Sequence, residues 1–152
     1  MNKQELKSYL EQNFPSCKVE ETSDFPLLFV DKNELLAIAR KLKESPDTLF
    51  DFLFCQTAID RKTNFEVVYH LTSMTHRHDM VMKVILEDRE TPEVESVYSL
   101  WEAAELYEDE IFDLFGIRFS NHPNLRRIML GDEWQGFPLR KDYVDNNNIV
   151  AL

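Results

Sequence analysis

Apolar positions recur along this chain with two different periods, and the changes of period mark its elements. Residues 3–14 carry Leu6, Tyr9 and Leu10 on one helical face, and Pro15 closes the helix. Phe25 to Val30 is a short apolar run that predicts a buried strand. Residues 34–44 return to helical spacing, with Leu35, Ile38, Ala39 and Leu42 inward, Asn33 as expected N-cap and Ser45, before Pro46, as boundary. Leu49 to Ala58 is aromatic-rich and predicts a strand. Phe65 to Met74 then alternates, with Phe65, Val67, Tyr69 and Leu71 on one face and Glu66, Val68, His70 and Thr72 on the other. Met80 to Leu86 alternates in the same way, so Thr75 to Asp79 is expected to turn a hairpin. Arg89 to Glu95, interrupted by Pro92, reads as a charged loop.

The strongest helical pattern runs from Leu100 to Phe115. Leu100, Ala104, Tyr107, Ile111, Leu114 and Phe115 share one face, Ser99 and Glu102 have the spacing of a capping box, and Gly116 stands where a glycine stops a helix. Glu102, Glu105, Asp109 and Asp113 fall on the opposite face, which is expected to be solvated or to meet cations. Beyond Gly116 both periods vanish, although Phe119, Leu125, Ile128, Met129, Leu130, Trp134 and Phe137 follow. Such a segment needs a surface to lie on. The order of elements predicts an α+β domain over residues 1–117, a mainly antiparallel sheet flanked by helices. An irregular C-terminal extension, residues 118–152, is expected to pack on that domain and on a partner, with Asn146 to Leu152 running along the partner or fraying.

Composition narrows the function. With 152 residues, 43% hydrophobic and 12% aromatic, the chain can bury one sizeable core. No apolar run approaches the length of a membrane span, and the N-terminus lacks the layout of a signal peptide. Cys17 and Cys55 stand far apart and are expected to be free thiols. The net charge of −11 is concentrated: residues 87–113 hold 11 acids and one base, Arg89. There is no basic stripe to meet a nucleic acid.

Glycine occurs only at 116, 131 and 136, so there is no glycine-rich phosphate loop. No cysteine cluster could hold zinc or an iron–sulfur centre, and His76 and His78 flanking Arg77 are better read as loop residues than as a metal pair. His122 has no nucleophile motif near it and is expected to serve as a structural hydrogen-bonding residue. Glu108, Glu110 and Asp113 could suggest acid–base work, but they share one helix with further acids instead of facing each other across a cleft. Arg126, Arg127, Arg140 and Lys141 are expected to pair with acids of this chain or of a neighbour.

The order of residues in the last third resembles a known family. Glu108 and Glu110 are followed by Asp113-Leu114-Phe115-Gly116-Ile117, then by His122-Pro123-Asn124-Leu125-Arg126-Arg127-Ile128. Trp134, Gly136 and Pro138-Leu139-Arg140-Lys141-Asp142-Tyr143 complete the motif, and Tyr69 to Val84 resembles the family's hairpin. Asp109 departs from it, standing where a basic residue is usual. The family is the 30-kDa subunit, or C subunit, of the proton-pumping NADH:quinone oxidoreductase, respiratory complex I. The resemblance implies a peripheral-arm scaffold without cofactor or catalysis of its own, with NADH, FMN, iron–sulfur clusters and quinone on other subunits. It implies docking on the quinone-site subunit of complex I (the D subunit) and on other peripheral-arm subunits. It places the chain on the cytoplasmic side of the inner (plasma) membrane, held there only through the complex. The motif residues would be the interface. The equivalent subunit of a membrane-bound hydrogenase or ferredoxin-linked complex, or a stand-alone hydrolase built on the clustered carboxylates, are the alternative readings.

Overall fold

The computed structural model describes residues 1–145; Asn146 to Leu152, and what the sequence suggests for them, lie outside the described residues. Helix α1 (Lys3–Asn13) opens with a capping box, in which Asn2 Oδ1 accepts the Glu5 amide at 2.9 Å and Glu5 accepts the Asn2 amide at 2.8 Å. Strands β1 (Lys18–Glu21) and β2 (Pro26–Phe29) follow, then α2 (Leu35–Glu44). The strands β3 (Phe52–Asp60), β4 (Phe65–Ser73) and β5 (His78–Leu86) form a meander. Strand β6 (Glu93–Glu95), helix α3 (Ala104–Phe115) and strand β7 (Arg118–Ser120) complete the fold.

The main sheet has five strands in the order β1-β2-β5-β4-β3. Only β2 and β5 run parallel; the other neighbours are antiparallel. Alternation decides which face is covered. Phe65, Val67, Tyr69 and Leu71 of β4 and Met80, Met82, Val84 and Leu86 of β5 point into one core with side chains of all three helices. The other face carries a smaller cluster, Leu27, Val68 and Val81, bordered by half-buried Phe25, Phe29 and Ile59. On the exposed edges β1 is short and charged, the usual protection of an edge strand.

Several expectations change in detail. Strand β1 (Lys-Val-Glu-Glu) has no apolar alternation and leaves no periodic signal in the sequence. Asn33 does not cap α2; its amide is bound by Asp31 Oδ1 in a turn just before the helix. Leu49 takes a φ of 40°, so β3 starts only at Phe52. The Ser99–Glu102 capping box is absent, because α3 begins at Ala104 and residues 97–101 form a separate turn. That turn buries Trp101, whose indole N–H donates to the Phe50 carbonyl at 3.0 Å. The charged loop contains β6, which pairs in parallel with β7 through Glu93–Arg118, Val94–Phe119 and Glu95–Ser120. A bulge between Leu53 and Cys55 frees the Phe54 carbonyl, and Tyr107 of α3 donates its hydroxyl to it at 2.8 Å.

The hairpin histidines are structural. His78 is 6% exposed, and its Nε2 lies 2.8 Å from the Thr48 carbonyl; His76 Nε2 lies 2.7 Å from the Pro46 carbonyl. Together they tie the β4–β5 turn to the segment between α2 and β3. Cys17 and Cys55 are both free.

Candidate functional site

The acids of α3 are not a solvated face. Asp109 and Asp113 are at most 1% exposed, because the chain turns back after Gly116 and lies over the helix, and Glu105 is half-buried; only Glu102, ahead of the helix, is exposed as expected. Helical spacing cannot reveal this, since the cover comes from a segment with no periodicity.

Asp113 is the centre of the contact. Its Oδ2 accepts the amides of Ile128 (3.2 Å), Met129 (2.8 Å) and Leu130 (3.0 Å), and Oδ1 accepts Arg127 Nη1 at 3.1 Å. Burial alone would raise this carboxyl, but the three amides and the guanidinium outweigh it and hold the group below its ordinary value. One helical turn earlier, Asp109 accepts the Arg126 amide at 3.1 Å. His122 sits beside it with a side chain only 1% exposed, its Nε2 2.9 Å from the Glu105 carbonyl and its Nδ1 accepting the Asn124 amide at 3.0 Å. Both ring nitrogens are therefore engaged within the chain, the structural role expected of this histidine.

A third carboxylate holds the far end of the tail. Asp60, at the end of β3, is gripped by Arg89 (2.6 and 3.1 Å) and accepts the amides of Lys62 (2.7 Å) and Lys141 (2.8 Å). The Arg89 guanidinium and these amides keep it well below the usual carboxylate range. Arg89 also lies 3.6 Å from Asp142.

Between these anchors the cations stack on rings. Arg127 lies 4.9 Å from the Phe137 ring centre, Arg140 lies 5.1 Å from Phe137 and 5.0 Å from Phe65, and Arg89 lies 4.5 Å from Phe65. The result is an alternating ladder of guanidinium and phenyl groups joining tail to sheet. Arg140 also donates to the Phe115 carbonyl (2.6 Å), one of those left over at the end of α3, and to the Arg89 carbonyl (3.1 Å). Gly116 makes the ladder possible. It is the left-handed cap of α3 at φ 73°, and a Cβ there would meet the Phe137 ring at 2.5 Å. Gly136, also at positive φ, lets Tyr143 lie against it in the same way.

The motif residues thus fall into two sets. Asp113, Gly116, His122, Arg127 and Arg140 are brought together at α3 by their side chains or special backbone. Arg126 and Lys141 join through main-chain amides and keep their side chains exposed. Glu108 is buried on the sheet side of α3, where its Oε1 accepts the Val97 amide at 2.9 Å. Glu110 is half-buried near Cys55; burial raises that thiol and the Glu110 charge raises it further. Pro123 is exposed and Trp134 is half-buried, with an indole N–H that has no partner among the described residues. Sequence reasoning missed Asp60, Arg89, Phe65 and Phe137. One signal was available for Arg89: a single base inside a block of acids is a strong candidate for a buried pair.

A family model described as respiratory-chain NADH dehydrogenase, 30 Kd subunit, matches residues 28–148, which span the hairpin, α3 and the tail motif. The chain belongs to this 30-kDa subunit family. Its relatives agree. A protein of Moorella thermoacetica, named as the C subunit of NADH-quinone oxidoreductase, is 43% identical over 136 residues, 88% of this chain and 90% of that one. A protein of Acidiphilium cryptum, named as the C/D subunit of NADH-quinone oxidoreductase, is 36% identical over 140 residues, 85% of this chain but 24% of its own length. Among solved structures, a chain of the membrane-bound sulfane sulfur reductase, an archaeal respiratory membrane complex, superposes with a TM-score of 0.73. It covers 93% of this chain and 85% of that chain at 22% identity, and so shares the fold of the 30-kDa subunit. Among the described residues no helix is long and apolar enough to cross a membrane.

Proposed function

We propose that this chain is the cofactor-free scaffold subunit of an NADH:quinone oxidoreductase, that it docks on the quinone-site subunit, and that the folded-back tail forms the contact. The observation that carries this reading is the way the tail is held. It has no element of its own beyond β7, yet three buried carboxylates, Asp60, Asp109 and Asp113, fix its main chain. So much fixed backbone is needed if the tail must present an outer surface in one shape. Large apolar side chains stand exposed on it among polar ones: Met129 is 62% exposed, Leu139 51% and Val144 66%, and on α3 Leu106, on the stripe shared with Asp109 and Asp113, is 62% exposed.

The carboxylates also speak against chemistry on this chain. Asp60 and Asp113 are committed to amides and to arginines, and Asp109 to an amide beside His122, so none is offered to a substrate in a cleft. Redox groups and quinone would then belong to other subunits, and membrane attachment, on the cytoplasmic side, to the complex. Names of the form C/D among relatives support a lasting association of the 30-kDa and quinone-site portions.

The test is purification of the tagged full chain from solubilised membranes of its own organism, followed by mass spectrometry of what accompanies it. The quinone-site subunit of an NADH:quinone oxidoreductase in stoichiometric amount supports the reading. Recovery with hydrogenase subunits instead, or alone and with hydrolytic turnover, overturns it.

A further inference from the structure

An open pocket of about 260 Å³ at the far anchor of the tail is lined by Lys62, Arg89, Lys141 and Asp142. Three segments meet there: the turn after β3, the loop after β5 and the tail. Asp60 fixes two of them by their main chain, since the amides of Lys62 and Lys141 both donate to its carboxylate. The Arg89 guanidinium is also spent on Asp60, and its Nη2 faces Asp142 at 3.6 Å. The two lysine side chains are not spent. Both residues are exposed, and neither ammonium has a hydrogen bond or an ion pair among the described residues. Arg140 adds to the imbalance: it shares the Phe65 ring with Arg89 and donates only to carbonyls. Cations thus outnumber carboxylates at this one place in a chain whose net charge is −11.

Charge complementarity calls for an anion, and the construction of the pocket selects its kind. Sites for small free oxyanions use converging main-chain amides; here the amides of Lys62 and Lys141 are turned inward to Asp60. A membrane of anionic lipid is held by clusters of about four to eight basic side chains, and two free lysines beside Asp142 are no such surface. A carboxylate carried by a protein needs neither, because the rest of the interface holds it in place. Leu139 and Val144, 51% and 66% exposed, flank Lys141 and Asp142 in the chain, so the pocket continues the surface already assigned to docking.

We propose that this pocket receives an acidic side chain of the docked partner subunit, with Lys62 and Lys141 closing on its carboxylate. The inference rests on the docking role proposed for the tail, and adds the charge that the partner carries opposite it.

Carbodiimide treatment of the assembled complex, which joins an amine directly to a touching carboxylate, tests it when followed by peptide mass spectrometry. The expected products are amides between Nζ of Lys62 or Lys141 and an Asp or Glu of the quinone-site subunit. The pair Lys62→Gln and Lys141→Gln should lose these products and weaken binding to the complex about tenfold. The pair Lys62→Arg and Lys141→Arg should lose the products but keep the binding. Neither ammonium has a partner among the described residues, so both variants should unfold in urea at the wild-type midpoint. A complex that contains the quinone-site subunit, but in which Lys62 and Lys141 couple to none of its acids, overturns this inference alone. A preparation without that subunit overturns the docking role as well. Titration of the free chain with inorganic phosphate, and with phosphatidylglycerol vesicles, covers the other occupants: binding of either that the glutamine pair abolishes overturns the inference.

Discussion

Replacing Asp113 with alanine should release the tail before it unfolds the domain. The carboxylate is fully buried and takes three amides and one guanidinium. Each bond to a charged acceptor is worth roughly 1.5–3 kcal/mol, but the sum overstates the loss, because three amides share one oxygen and half-exposed Leu130 and exposed Ile128 and Met129 can be rehydrated. Arg127 also keeps the carbonyls of Asp113 and Gly136, at 3.1 and 2.9 Å. The expected cost is therefore that of removing one member of a buried charged pair, about 3–5 kcal/mol. Asp113→Asn keeps one acceptor oxygen without the charge and should cost about 1–3 kcal/mol. Urea unfolding measures the total, and hydrogen exchange locates it: amides 126–130 should exchange much faster while those of β4 and β5 stay protected under native conditions. A cost below about 1 kcal/mol, or unchanged exchange at 126–130, would refute the view that this carboxylate fastens the tail.

Gly116→Ala should cost about 1–2 kcal/mol for the left-handed cap alone, and more because Phe137 must leave its place; faster exchange near Phe137 checks this. Arg140→Ala removes two hydrogen bonds and two ring contacts, and should destabilise the free chain by about 2–3 kcal/mol in urea unfolding. Acidity acts on two groups with opposite sign. Asp113 is held below its ordinary value in the fold, so its stabilisation is present above pH about 4 and is lost as the pH falls. Glu108 is pushed up to about 7, first by burial, so the folded state binds its proton more tightly than the unfolded chain and stability falls as pH rises from about 4.5 to about 7. Glu108→Gln should flatten that limb, gaining up to about 3 kcal/mol over wild type at pH 8 relative to pH 5; parallel slopes for the two proteins would show that Glu108 does not titrate in this range.

The core was legible in the sequence because burial on one side leaves a period. Leu6 and Leu10, Leu35 to Leu42, and the alternating strands from Phe65 and Met80 all take the places their spacing assigns. Strands β1, β6 and β7 were not, since three or four residues carry no period. The acids of α3 mislead for a deeper reason. A carboxylate satisfied by main-chain amides has no sequence partner, so Asp113 with Ile128 to Leu130, or Asp60 with Lys141, looks solvated until the chain is seen to return. The arginines divide for the same reason: Arg127 and Arg140 act inside the chain, while the side chain of Arg126 faces outward.

Site-specific photocrosslinking in the assembled complex tests most directly whether the fixed tail is the docking surface. A photoreactive residue would replace exposed Met129 or Leu139 on the tail, or exposed Glu11 on α1 as the control. Adducts to the quinone-site subunit from positions 129 and 139, and none from position 11, are the predicted result. Adducts from position 11 with none from the tail would contradict the account.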